Sequence, residues 1–205
     1  MSQIPALLAA LEIAVNAVEP RLLQDFKPGL SDTKINAHMA NFNYALPDDL
    51  RALYRWRNGQ DQGASFLGQL WRMAPLGDEY SVWVREIWGE NCEMLGQTLP
   101  PFVEQLEWTY LFDDGSGSHF VGGCAADARV PCALYNCDKG AANFEKVFEG
   151  VEPMILTALE WWQSGVFSPH EGRFNWSIDW DVKEYAGIAR RLNPDCCYWF
   201  SDAFA

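Results

Sequence analysis

The sequence predicts one α+β domain with a C-terminal extension. Apolar residues repeat with helical spacing near the N-terminus and again near residue 155, whereas two apolar runs between residues 108 and 124 flank a turn rich in aspartate and glycine. The chain has 205 residues, of which 49% are hydrophobic, enough for one buried core and marginal for two. We therefore expect helices at both ends of the domain and a sheet between them.

Helical spacing predicts two helices before residue 45. The first covers about residues 3–18 and ends before Pro20. Pro28-Gly29 then interrupts the chain. Ser31 is suited to be the N-cap of a second helix, whose apolar side carries Ile35, Met39 and Phe42.

A third helix is predicted from the segment Leu46–Leu50. Pro47 takes its first helical position, and Asp48 and Asp49 lie in the first turn, where the helix dipole favours carboxylates. Asn58-Gly59 tolerates positive φ and is expected to end this helix. Residues 66–74 are predicted to form a strand, and residues 78–89 a helix.

Three strands are predicted in the middle of the chain: Trp108–Phe112, His119–Cys124 and Pro131–Cys137. The first two flank residues 113–118, whose Asp, Gly and Ser residues are typical of a turn. We expect these strands to share one sheet.

Helical spacing also predicts the last helix of the main domain, over about residues 153–164, with Gly165 near its end. We assign residues 1–167 to this domain and residues 168–205 to an extension packed on or beside it. The extension contains one more helical pattern, from Val182 to Leu192, which Asn193-Pro194 ends.

Charge limits the classes of partner. Fifteen Lys and Arg against 28 Asp and Glu give a formal net charge of −13, which repels nucleic acid and anionic membrane surfaces. The same charge attracts a basic partner. The alternative explanation is that the acidity only keeps the protein soluble.

The N-terminus contains an apolar stretch, but it lacks a basic region and Glu12 interrupts it, which argues against a signal peptide. No run approaches the ~18 apolar residues that cross a bilayer. We expect a cytoplasmic protein whose six cysteines are reduced and form no disulfide.

His119 follows Asp113, Asp114, Ser116 and Ser118, which are the residue types of an acid–base or nucleophilic site. Proximity in a turn does not supply catalytic geometry, and a hairpin needs Asp, Gly and Ser in any case, so we favour a structural turn. We predict no catalytic residue.

Cys124, Cys132 and Cys137, together with His119, have the ligand types of a zinc site, but no Cys-x-x-Cys pair is present. Cysteines in apolar strands are more often small core residues. Neither glycine signature of nucleotide binding occurs, so we predict no metal and no cofactor.

Aromatic and acidic residues are the candidates for partner binding. Trp161 and Trp162 are adjacent on a helix, so at most one can easily point into the core, and the other is a candidate for a partner interface or for covering by the extension. Asp113 and Asp114 at the predicted turn could meet a basic partner. For Asp48 and Asp49 we favour helix capping.

Three pieces of the chain resemble, in order and spacing, the SUKH superfamily, a group named partly for yeast cell-wall regulators of the Smi/Knr type. The first is Leu46-Pro47-Asp48-Asp49-Leu50-Arg51-Ala52-Leu53-Tyr54, closing with Asn58-Gly59. The second is the strand, Asp/Gly-rich turn and strand of residues 108–121, and the third is the helix of about residues 153–164 before Gly165. The stretch 76–107 carries no motif of the family.

The resemblance implies N-terminal helices and a C-terminal helix on one mixed, largely antiparallel sheet. It also implies an immunity-type protein that neutralises a cognate secreted antibacterial toxin by occluding it. The acidity suggests a basic toxin, such as a nuclease or another enzyme that acts in the cytosol. The alternatives are a non-catalytic regulatory scaffold that binds cellular partners, and an enzyme that works through His119.

Overall fold

The computed structural model describes residues 3–40, 42, 44–61, 66–68, 71–77, 83–138, 144–171 and 176–204. The α-helices in these ranges are α1 Ile4–Val18, α2 Pro20–Gln24, α3 Asp32–Met39, α4 Asp48–Trp56, α5 Trp83–Met94, α6 Pro101–Gln105, α7 Val151–Ser164 and α8 Val182–Leu192. The strands are β1 Phe26–Pro28, β2 Arg57–Gln60, β3 Arg72–Met73, β4 Glu107–Asp113, β5 Ser118–Cys124, β6 Ala133–Asp138, β7 Lys146–Phe148, β8 Phe167–Glu171 and β9 Trp176–Trp180. Two 3-10 helices, Cys197–Phe200 and Asp202–Phe204, follow α8. The predicted α+β class is confirmed.

A five-stranded sheet in the order β3-β4-β5-β6-β7 forms the centre of the molecule. Its strands pair in chain order, and each described pairing is antiparallel, across the long connection that carries α5 and α6 between β3 and β4 as well as across the shorter ones that follow. The predicted sheet is therefore present and, within the described residues, wholly antiparallel instead of mixed. Two further two-stranded sheets, β1 with β2 and β8 with β9, lie outside this sheet.

Helices cover both faces of the central sheet. Successive residues of a strand point to opposite faces, so Phe120 joins a large core built with α1, α4 and α7, while Val121 joins a second core with α5 and α6. In that second core Trp88 of α5 meets Trp108 of β4 edge to face, with ring centroids 4.7 Å apart.

Helices α1 and α3 agree with the sequence pattern, but α3 ends at Met39, before Phe42, and the pattern does not predict α2. The Ser31 hydroxyl accepts a hydrogen bond from the backbone N–H of Lys34, so the predicted N-cap of α3 is confirmed. Pro47 is the N-cap of α4 and not its first helical residue. Asn58-Gly59 lies inside β2 instead of ending the helix directly, and Gly59 has a φ of +81° with the backbone of Pro75 close to its Cα.

The strand predicted over residues 66–74 is mostly wrong. Residues 66–68 lie in a turn, residues 69 and 70 lie outside the described residues, and of the described remainder Arg72–Met73 pair with β4. The apolar side chains there, such as Phe66 and Trp71, are buried, so their pattern reflects burial and not strand pairing. Helix α5 runs to Met94, beyond the predicted residue 89, and residues 78–82 of that prediction lie outside the described residues.

The segment after residue 167 shares the large core with the helices before it. It forms β8, β9, the predicted helix α8 and the two 3-10 helices. Tyr185, Ala189, Trp199 and Phe204 are buried in the same cluster as α1 and α7. Among the described residues, no helix has the length and apolar character needed to cross a membrane.

Candidate partner-binding site

Asp113 lies at the end of β4 and accepts hydrogen bonds from β3 and from the turn that follows β4. Its Oδ1 accepts a hydrogen bond from Nη2 of Arg72 at 2.5 Å and from the backbone N–H of Gly115 at 3.0 Å. Arg72 is its partner residue in the register of β3 and β4. The carboxylate therefore joins the edge strand to the turn, and its side chain is only 18% exposed.

Asp114 organises the turn between β4 and β5. Its Oδ1 accepts the backbone N–H groups of Ser116, Gly117 and Ser118 at 2.8, 3.1 and 3.0 Å, and its Oδ2 accepts the Ser116 hydroxyl at 2.5 Å. Burial raises the pKa of Asp114, but the hydrogen bonds together outweigh burial, and the pKa lies below its usual value of 3.8. A partner contact by Asp113 or Asp114 stays a prediction, and it would have to leave these turn bonds intact.

His119 lies in register between Asp113 on β4 and Cys137 on β6, so the three side chains point to one face of the sheet. Carboxylate, imidazole and thiol in this order have the residue types of a nucleophilic site. His119 and Cys137 are both buried, however, with 9% and 1% of their surfaces exposed. Burial lowers the pKa of His119 and raises the pKa of the Cys137 thiol to about 12. A neutral pair inside the second core favours a packing role.

The hydroxyl groups near His119 have partners of their own. The Ser118 hydroxyl donates to Oδ1 of Asp138 at 3.3 Å, and the Ser116 hydroxyl donates to Asp114. These bonds fix the turn end of the β4–β5 hairpin, as turn chemistry predicts.

The sheet separates the residues considered as zinc ligands. Cys124 and Cys132 lie in the large core with their Sγ atoms 3.7 Å apart, whereas Cys137 lies in the second core on the opposite face. Alternation of side chains along the strands causes this separation. In the described part of the chain, no group of three or more His, Cys, Asp or Glu residues could hold a metal ion.

Trp161 and Trp162 are both buried, which agrees with covering within the protein, the alternative to a partner interface. Partner binding through either residue stays a prediction. Trp161 donates from Nε1 to the carbonyl of Tyr185 at 2.9 Å and stacks on the Tyr185 ring. Trp162 donates to the carbonyl of Phe66 at 2.8 Å and contacts the ring of Phe167. The C-terminal segment covers Trp161 and the turn at Phe66 covers Trp162, so both adjacent side chains of α7 point into packed protein.

One open feature of the described surface is a groove of about 520 Å³, which we call the acid-rimmed groove. It lies where three helices begin. Its lining comes from Ile4 of α1, Asp48 and Asp49 of α4, residues 128–131 of the loop before β6, and Glu149, Gly150, Glu152 and Pro153 at the start of α7.

Asp49 holds the walls of the acid-rimmed groove together. Its Oδ2 accepts the backbone N–H groups of Cys132 at 2.9 Å and Val151 at 3.4 Å, and its Oδ1 accepts that of Leu50 at 2.8 Å. The backbone N–H of Asp48 donates to the carbonyl of Ala128 at 2.9 Å. Helix α4, the loop before β6 and α7 are thereby fixed against one another.

The charge of the acid-rimmed groove is negative. Three helix N-termini contribute together about +1.5 elementary charges. Four carboxylates exceed this contribution: those of Asp48, Asp49, Glu149 and Glu152. The guanidinium of Arg129, the cation in the lining, is paired with Asp127 at 2.7 Å. A cationic group is thus favoured at the groove and an anionic one is not.

Sequence reasoning found only part of this groove. The sequence pattern predicts that Asp48 and Asp49 cap the helix, and the hydrogen bond from the Leu50 N–H to Asp49 agrees with that role. It did not find Val130, Glu149 or Glu152 as groove residues, because nothing in their spacing indicates that a loop and a distant helix start meet α4.

No protein-family model matches the sequence, and no curated protein matches it significantly. The resemblance to the SUKH superfamily therefore stays a prediction. The residues of the chain and their geometry carry the functional inference.

Proposed function

We propose that the chain is an immunity-type binding protein that neutralises a cognate secreted antibacterial toxin by occluding it. The observation that carries the proposal is an open, acid-rimmed groove on a chain with a net charge of −13. The resemblance to the SUKH superfamily supplies the class of partner. The burial of His119 and Cys137, which have the chemistry of a nucleophilic site, favours binding over catalysis.

The partner that fits this surface is basic. A negative field raises the rate at which a basic protein meets the chain by a factor of about 10 to 1,000 at low salt. Occlusion then requires only that the complex cover the toxin's active surface. We propose that this takes place in the cytoplasm, without a cofactor and without direct contact to nucleic acid or membrane.

Co-expression with the secreted protein encoded next to this chain tests the proposal. Growth should be rescued from the toxin, the two proteins should co-purify, and association should slow as salt rises. Absence of both rescue and complex with every adjacent secreted protein would overturn the toxin-binding function. Recovery of unlinked cellular partners without any toxin would favour the regulatory scaffold instead.

A further inference from the structure

The floor of the acid-rimmed groove is apolar. Ile4, Val130, Pro131 and Pro153 line it, and Val130 keeps 45% of its surface exposed on the loop before β6. Exposed apolar surface inside a groove is typical of a site that a partner covers. A volume of about 520 Å³ holds a few side chains and not a folded element.

The rim offers two carboxylates for new interactions. Glu149 is paired with Lys146 at 3.0 Å, and Asp49 is occupied by backbone N–H groups. Within the described residues, neither Asp48 nor Glu152 forms an ion pair, although the charge of Arg129 acts on Asp48 at longer range. These two flank the apolar floor from α4 and from α7.

We infer that the acid-rimmed groove docks a basic segment of the partner protein, one that presents an arginine or lysine next to an apolar side chain. The aliphatic stem of the cation lies along Val130 and Pro131, while its charged head meets the carboxylates of Asp48 and Glu152. This inference rests on the proposed function, since it names the part of the basic partner that the chain recognises.

The choice of occupant follows from charge and size together. An acidic segment would add negative charge to a rim that is already negative, and a purely apolar one would leave the carboxylates desolvated without a partner. A basic segment with an apolar neighbouring residue covers the apolar floor and pairs with the carboxylates of the rim at the same time.

Two pairs of substitutions test the groove in the full chain at equal change of net charge. D48N with E152Q removes two carboxylates from the rim. E90Q with E93Q removes two exposed carboxylates from α5, on the other face of the sheet. Val130→Lys places a cation in the groove at an exposed loop position and serves if the first pair disturbs folding.

The first measurement is the affinity of each variant for the toxin. The rim pair and Val130→Lys should each weaken binding by at least about tenfold, whereas the α5 pair should change it by less than about threefold. A complex that forms with equal affinity in the rim and α5 pairs overturns the groove and leaves the toxin-binding function standing.

The second measurement needs no toxin. A short peptide of arginine and leucine, titrated into the labelled full chain, should shift the amide resonances of residues 128–130, 132 and 150–151, and a peptide with glutamate in place of arginine should not. The shifts should disappear in the rim pair and persist in the α5 pair. Shifts elsewhere, or the same shifts in both pairs, overturn the proposal that the acid-rimmed groove docks a basic segment. Groove-specific shifts without any toxin complex retain the groove and reject the toxin-binding function.

Discussion

Asp49 accepts the backbone N–H of Cys132 at 2.9 Å, across 83 residues of sequence. The same Oδ2 atom also accepts the N–H of Val151, 102 residues away. One carboxylate at the start of α4 thus satisfies the backbone of a loop and of another helix start, and it shapes the acid-rimmed groove.

Asp49→Ala should lower the free energy of unfolding by about 2–4 kcal/mol, because three backbone donors lose their acceptor in a partly buried place. Urea unfolding measures the change. Asp48→Ala is the matched control, since Asp48 is exposed in the same helical turn and should cost no more than about 1 kcal/mol. Equal losses in the two variants would show that Asp49 acts only through the helix dipole.

Asp114→Asn should reduce stability at pH 7 by about 0.5–1 kcal/mol, after allowance for the partial exposure of the carboxylate. The folded pKa of Asp114 is lowered from 3.8, so its contribution is present above that pH and is lost as pH falls through the folded pKa. The stability difference between variant and wild type should therefore shrink in strong acid. Unfolding curves at several pH values test this, and a difference that is constant with pH would contradict it.

His119 should make the protein less stable in mild acid. Burial lowers its pKa below 6.5, although the charges of Asp113, Asp114 and Asp138 limit the drop, so the unfolded chain binds the proton more readily. Its stabilising contribution is present above about pH 6.5 and is lost as pH falls through the folded pKa, by at most about 1.4 kcal/mol per pH unit.

The variant His119→Gln should remove that part of the pH dependence. Its stability relative to wild type at pH 8 gives the packing cost, because the imidazole is neutral there. An unchanged slope of stability against pH below 6.5 would show that other groups cause it.

Trp199→Ala should cost about 3–5 kcal/mol, as expected for a large buried aromatic residue. Trp199 is 1% exposed, and its Nε1 donates to the carbonyl of Val147 at 2.7 Å. The neighbouring Phe200, 57% exposed, supplies the control, and Phe200→Ala should cost less than about 1 kcal/mol. A small effect of Trp199→Ala on global unfolding would mean that the C-terminal segment opens independently of the main core.

The six thiols should divide into one reactive and five protected groups. Cys197 is exposed, and the other cysteines are buried free thiols. Burial also raises the pKa of Cys132 and Cys137, which lowers their thiolate fraction. Titration with a disulfide reagent should modify one thiol in the native protein, none in Cys197→Ser, and all six after unfolding of the wild type. Rapid reaction of a second thiol in the native state would reveal local opening.

Local patterns in the sequence were sufficient for the elements that depend on nearby residues. Helices α1, α7 and α8 follow from apolar spacing, and the turn around Asp114 follows from its Asp, Gly and Ser residues, because caps and tight turns are satisfied within a few positions. The strand predicted over residues 66–74 fails for the converse reason: a strand exists only where a distant partner pairs with it. Among the described residues of this segment, Arg72 and Met73 lie in register with β4, and the Ala74 N–H adds one hydrogen bond to the carbonyl of Leu111.

The sequence by itself determined the α+β class, the net charge of −13 and most helix starts. Only the tertiary structure decided that Trp161 and Trp162 are both covered, because Tyr185 contacts Trp161 from later in the chain and Phe66 contacts Trp162 from earlier in it. Likewise, only folding brings Asp48, Val130 and Glu152 to one groove. Side chains far apart in sequence meet through strand register and helix packing. The local spacing of residues in the sequence does not indicate these long-range contacts.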